Sequence, residues 1–244
     1  MKICIVQISP QKGNVSANID SHLAAIRSAV VLGIDVIIFP ELSITGFEPA
    51  LAKQLVQNPH SASFDCFEEL AEEHEITIGI GIPTQSDTGL NISMLIFQPS
   101  KHRQVYSKTI LHSDELPYFV CGDSEPVIQV RGQKLGIGIC YETLQNERFL
   151  QSVNLGAKAF IASVAKPQNG IHKANSLFAS FSKKCSIPIL MANSIGYCDN
   201  FLSAGQSTVW NSKGKVIGQL NDVSSGLLIY DTETETVLKQ SYLV

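Results

Sequence analysis

Residues 135–142 read Leu-Gly-Ile-Gly-Ile-Cys-Tyr-Glu, an apolar run with glycine at alternate positions that ends on Cys140. So short an apolar run is the pattern of a strand buried on both faces. Gly136 and Gly138 would let neighbouring groups approach its backbone closely. A similar run, Ile-Gly-Ile-Gly-Ile-Pro, occupies residues 78–83, so an internal repeat with one copy in each half is one expectation.

On either side of these runs, strand and helix patterns alternate. Strands are expected at 2–9, 35–39, 76–83, 91–97, 103–107, near 126–130, and at 134–139, 158–163 and 187–192. Apolar spacing places helices at 16–32, 64–74, 144–155 and 172–185. Residues 206–231 read as three strands with turns at Lys213-Gly214 and Ser224-Ser225-Gly226. No linker or low-complexity tract divides the chain, so residues 1–244 are expected to form a single α/β domain, with a mixed sheet or two sheets covered by helices.

Composition narrows the function. Only 16% of the 244 residues are charged and 44% are hydrophobic, which excludes intrinsic disorder and predicts a large core. The net charge of −4 and the lack of any Lys/Arg cluster argue against nucleic acid as a partner. The opening MKICIVQISP reads as a first strand rather than a signal peptide, and Asp35 interrupts the best apolar run well short of the ~20 residues of a membrane span. Six cysteines without a C-x-x-C pair point to reduced thiols and a cytoplasmic setting. G-x-S-x-G, phosphate-loop, dinucleotide and zinc-deaminase signatures are missing. A class I glutaminase elbow is disfavoured too, because Glu142 stands where its second glycine would be and His172 is the only later histidine.

What remains is Cys140. A residue at the carboxyl end of a buried strand faces the crevice where α/β proteins build sites, although a lone thiol is more often core. A nucleophile needs a base and a group to hold an oxyanion. Glu41 follows the apolar strand 35–39, and alone could be a helix cap or a surface acid. Lys108 follows the strand 103–107, and alone would face solvent. Glu, Lys and Cys in that order, each at a strand end, are a much stronger signal together.

With these residues the sequence resembles the nitrilase, or carbon–nitrogen hydrolase, superfamily. The matching stretches are FPELSITGF (39–47), NIS through YSKTIL (91–111), DELPYFVCG (114–122), LGIGICYE (135–142), MANSIG (191–196) and GQSTVWNSKGKVIG (205–218). The resemblance runs from residue 3 to about residue 231. It implies a four-layer α-β-β-α sandwich that assembles as a homodimer or higher homo-oligomer. It implies Glu41 as general base, Lys108 as transition-state stabiliser, Cys140 as nucleophile and Glu115 as a second glutamate supporting the site. An oxyanion would rest on Lys108 and the Tyr141 backbone N–H, and the route needs no metal or organic cofactor.

The expected reaction is hydrolysis of a small carboxamide through a cysteine thioester. N-carbamoyl compounds and nitriles are alternatives for the same residues, and a non-catalytic binding protein that kept the fold is the rival from another class. Two stretches depart from the family pattern. After Cys140 the chain runs YETLQNERF, with Arg148 later than the family's arginine, so no role is carried over to it. Residues 162–167 read ASVAKP where the family often has a tryptophan-containing segment. Lys166 is read there as a candidate receiver of a substrate carboxylate, and Phe47 and Tyr118 as candidate pocket walls.

Overall fold

The computed structural model describes residues 1–242. The first half forms β1 (Lys2–Gln7), α1 (Val15–Val30), β2 (Val36–Ile38), the one-turn α2 (Ala52–Leu55), α3 (Asp65–Glu73), β3 (Thr77–Gln85), β4 (Leu90–Phe97) and β5 (Gln104–Ser107). The second forms β6 (Val127–Val130), β7 (Gln133–Ile139), α4 (Asn146–Asn154), β8 (Phe160–Val164), α5 (Gln168–Cys185) and β9 (Ile189–Asn193). The chain ends with β10 (Ile195–Cys198), β11 (Phe201–Ala204), β12 (Thr208–Trp210), β13 (Val216–Gln219), β14 (Gly226–Asp231) and β15 (Thr236–Gln240).

Two sheets result, in the orders β15-β14-β1-β2-β3-β4-β5 and β13-β12-β9-β8-β7-β6. Each has a parallel trio at its centre, β1-β2-β3 and β7-β8-β9, flanked by antiparallel strands. Side-chain alternation along the strands sorts the core into layers. Ile3, Ile5, Val36 and Ile38 of one sheet meet Leu135, Ile137, Ile139 and Ile161 of the other. On its far side the first sheet presents Cys4, Val6, Ile37 and Ile80 to Ala25, Ile26 and Phe67 of the helices. The second presents Phe160, Ala162 and Val164 to Phe149, Ile171 and Phe178. The order helix, sheet, sheet, helix is the expected four-layer sandwich.

The alternating glycines do different work in the two sheets. In β3, Gly79 and Gly81 face the space between sheets; a Cβ on Gly79 would meet Ile38 and Met94. In β7, Gly136 and Gly138 face the helical layer, where a Cβ would meet Phe160, Ser152 and Thr143. β3 closes its parallel trio in chain order whereas β7 opens its own. The likeness of the two runs therefore reflects close packing against each strand rather than a duplicated unit.

Several boundaries differ from the pattern. α5 begins at Gln168, a turn earlier than expected, because Pro167 takes the cap position and fixes the entry of the helix. α4 is preceded by a 3-10 turn over Cys140–Leu144. The β10–β11 hairpin turns at Asp199, with φ 47°, and β15 is an exposed edge strand of mixed polarity, so neither carries a clear apolar alternation. Among the described residues no helix is long and apolar enough to cross a membrane.

Candidate active site

Glu41 lies on the turn that leaves β2, buried at 2% exposure. Gly81 makes that turn possible: any side chain there would collide with the backbone of Leu42 and Pro40. Leu42 takes the left-handed conformation at φ 48°. Ser43 Oγ accepts the Gly81 N–H at 3.2 Å and lies 2.9 Å from His22 Nε2. His22 Nδ1 must donate to the Asn18 carbonyl at 2.6 Å, so Nε2 accepts from Ser43. Burial pushes the His22 pKa down to about 3, which keeps this imidazole neutral. From the second sheet, Ser163 Oγ donates to the Phe39 carbonyl at 2.8 Å. The Glu41 turn is therefore fixed from three sides.

Lys108 follows β5, with its backbone held by the Ile92 carbonyl and the Gly122 N–H, each at 2.8 Å. Its side chain is fully buried and its Nζ donates to Glu41 Oε1 at 2.8 Å and to Glu115 Oε1 at 2.5 Å. The other Glu115 oxygen accepts the His112 N–H at 2.7 Å. Burial alone would lower the Lys108 pKa, but the neighbouring Glu41, Cys140 and Glu115 outweigh it and raise it. The ammonium is thus locked in its charged form. Burial raises the Glu41 pKa; Lys108 opposes that and Glu115 adds to it. Glu41 Oε2 is buried and accepts no hydrogen bond among the described residues. Such an oxygen, on a carboxylate with raised proton affinity, can receive a proton.

Cys140 ends β7 in the left-handed conformation, φ 47°, the kind of strained elbow that lifts a side chain off a strand end. Its Sγ lies 3.8 Å from the Ala165 carbonyl and 3.5 Å from Lys166 Nζ. Burial, then Glu41, push the thiol up to about 11, partly offset by Lys166 and Lys108. The sulfur therefore keeps its proton at neutral pH until something removes it.

Beside Cys140 opens a cavity of about 450 Å³, within the range of small-molecule sites. Glu115, Tyr141, Lys166 and Phe47 line it, with Phe201 against Phe47 at a ring separation of 5.8 Å. Tyr118 does not reach it. The turn in which Phe119 N–H bonds the Glu115 carbonyl buries Phe119 and leaves Tyr118 43% exposed, in a separate groove with Lys53 and Leu116. The expectation of Tyr118 as a wall of this cavity is corrected accordingly.

Sequence reasoning missed the support around these groups. Glu142, fully buried, accepts from Ile139 N at 2.8 Å, Thr109 N at 2.7 Å and Tyr106 OH at 2.5 Å. Arg148 donates to the Tyr106 hydroxyl at 3.2 Å and stacks over its ring. A charged pair inside so charge-poor a chain was the available signal for Glu142 and Arg148. For His22 the sequence offers none.

A sandwich of this kind, two sheets flanked by helices, is the fold of nitrilase-superfamily amidases. The chain belongs to the carbon-nitrogen hydrolase family, which it matches over residues 2–240. A cysteine-to-serine mutant of the Nesterenkonia AN1 amidase, from the nitrilase superfamily, superposes with a TM-score of 0.86 at 21% identity, covering 96% of this chain and 92% of that one. The chain is 28% identical to a glutamine-dependent NAD(+) synthetase of Acinetobacter baylyi over 89% of its own length and 41% of the relative's. It is 24% identical to an (R)-stereoselective amidase of a Pseudomonas species, over 89% of this chain and 80% of that protein. The chain spans less than half the length of the synthetases it matches.

Proposed function

We propose that this chain hydrolyses the carbon–nitrogen bond of a small carboxamide through a thioester on Cys140, releasing ammonia and a carboxylic acid. The observation that carries the reading is the Lys108 ammonium bound to Glu41 and Glu115 beside the Cys140 thiol. As Sγ attacks the amide carbon, the thiol proton passes to Glu41 and the carbonyl electron pair moves onto oxygen. Lys108 and the Tyr141 backbone N–H receive that oxyanion, a kind of contact worth roughly a hundredfold or more in rate. Glu41 returns the proton to the amide nitrogen, the C–N bond breaks and ammonia leaves.

Water then attacks the thioester while Glu41 takes its proton. The C–S bond breaks, the acid departs and the sulfur recovers a proton from Glu41. Glu115 keeps Lys108 oriented. A thiol with a pKa near 11 is deprotonated only as it attacks, which suits a base whose own proton affinity is raised.

Support comes also from the relatives. A cysteine-to-alanine mutant of the Nesterenkonia amidase forms a complex with butyramide, and a glutamate-to-glutamine mutant shows covalent addition of the acetamide moiety of fluoroacetamide at the active site cysteine. A second reading, hydrolysis of the glutamine side-chain amide, is favoured by the likeness to glutamine-dependent synthetases. Carbamoyl compounds and nitriles would use the same groups. The same reading takes the chain as a homodimer in a reducing, cytoplasmic compartment, consistent with six free cysteines; light scattering tests the pairing. The test of function is ammonia release from a panel of small amides, glutamine, carbamoyl compounds and nitriles, with Cys140→Ala as control. Release that survives the substitution would overturn the assignment.

A further inference from the structure

We infer that the substrate carries a carboxylate a short spacer away from the scissile amide, and that Lys166 with the first turn of α5 receives it. The inference rests on Cys140 being the reacting sulfur, and it names the class of molecule the cavity takes: the half-amide of a short dicarboxylic acid.

Three cations are buried among the described residues. Lys108 sits between two carboxylates, and Arg148 lies 4.0 Å from Glu142. Lys166, at 5% exposure, has no carboxylate within 4.0 Å among the described residues; its Nζ meets only the Cys140 sulfur. An ammonium removed from water normally has an anionic partner, because the desolvation is otherwise uncompensated. The sulfur does not supply a lasting one. It is protonated at rest and bonded to carbon in the thioester, so it is neutral in both states.

Lys166 is also held in place rather than left to swing out. Asn193, fully buried, accepts the Lys166 N–H at 2.8 Å and donates to its carbonyl at 3.2 Å. The Ala204 N–H reaches the same carbonyl at 2.9 Å. Immediately afterwards α5 begins, with no side-chain cap and no acidic residue in its first turn. Asn169 and Gly170 of that turn line the cavity, so the positive end of an 18-residue helix faces the same space. A Cβ on Gly170 would press on Lys166 Cβ at 3.2 Å. Lys173, exposed and without an ion pair among the described residues, stands one turn further along the rim. The acidic side chain at the rim, Asp114, is taken by His112 at 2.5 Å, and Glu115 by Lys108.

Distance sets the spacer. Attack brings the amide carbon to about 3–3.5 Å from the sulfur, and a carboxylate on an ammonium sits about 2.8 Å away. With Nζ itself 3.5 Å from that sulfur, the amide carbon and the carboxylate can lie no more than about 10 Å apart, so both ends belong to one small molecule with a short spacer.

The test is alkylation of Cys140 by iodoacetate and by iodoacetamide, reagents of one size that differ in charge. In both, sulfur displaces iodide, so neither needs the hydrolytic steps. Rates are followed on the Cys140 peptide by mass spectrometry, with the exposed Cys121 of the same molecule as reference. In the unaltered protein the iodoacetate-to-iodoacetamide ratio should be at least about tenfold higher at Cys140 than at Cys121. Lys166→Gln should abolish that excess and Lys166→Arg should keep it. An equal ratio at the two cysteines overturns the inference, as does an equal slowing of both reagents in Lys166→Gln, which would mean that Lys166 only steadies the thiolate. In turnover, the monoamide of succinate should be favoured over butyramide by a similar factor, and a preference for butyramide contradicts it. If no amide is hydrolysed, the functional reading fails while the alkylation ratio still decides this one.

Discussion

Glu142 Oε2 accepts both the backbone N–H of Thr109, at 2.7 Å, and its hydroxyl, at 2.9 Å. Thr109 follows Lys108, and Glu142 lies two residues beyond Cys140, so one carboxylate ties together the stretches that carry the ammonium and the thiol. Its other oxygen holds the Ile139 N–H at the root of the Cys140 turn, at 2.8 Å.

Glu142→Gln replaces one acceptor oxygen by a donor, which must then face an N–H or a hydroxyl. We expect a loss of about 2–3 kcal/mol in denaturant unfolding, the cost of a broken charge-assisted network. We also expect a fall in kcat larger than any change in KM, because the displaced groups are those the proposed mechanism uses.

Gly81→Ala would push the backbone of Pro40 and Leu42 away from β3 and carry Glu41 with it. The expected cost is about 1–3 kcal/mol of stability and at least a tenfold loss of amide hydrolysis. Gly79→Ala is the control: its Cβ would meet the flexible ends of Ile38 and Met94, so stability should fall while specific activity is largely kept.

Lys108→Met leaves Glu41 and Glu115 buried without their cation, an arrangement that costs about 3–5 kcal/mol at neutral pH. The folded-state pKa of Glu41, already raised by burial and lowered by Lys108, would then rise further above the unfolded one. Such a group binds protons on folding, so the deficit should shrink as pH falls through the raised value. Urea melts of this variant at neutral and mildly acidic pH check the sign.

On the proposed mechanism Glu41 must be unprotonated to act as base, so the acid limb of kcat/KM should report it. Burial raises its pKa, so activity should be lost around a midpoint above the ordinary carboxylate value of 4.5. Because the Glu115 charge contributes to that rise, Glu115→Gln should move the limb to lower pH. A limb that stays in place would separate it from Glu41.

The sequence made much of this arrangement legible. Short apolar strands that alternate with amphipathic helices required buried sheets covered by helices, and Glu41, Lys108 and Cys140 stood out because each polar group closed such a strand. The geometry that brings them together was not legible, because it depends on contacts far apart in the chain. Ser163 reaches Phe39 across the two sheets, and Asn193 fixes Lys166 from another strand. Tyr118 and Phe119 are adjacent aromatics, and only the turn at Glu115 decides which points inward. The β10–β11 hairpin, which brings Phe201 to the cavity, is announced by little more than its Asp-Asn turn.

If Cys140 carries the acyl group, intact-mass analysis of the protein quenched during turnover of a slow amide detects it. The expected result is a mass increase equal to the acyl group replacing the thiol hydrogen, localised to Cys140, absent in Cys140→Ala and discharged by water. Steady hydrolysis with no adduct, at a rate that Cys140→Ala retains, would contradict it.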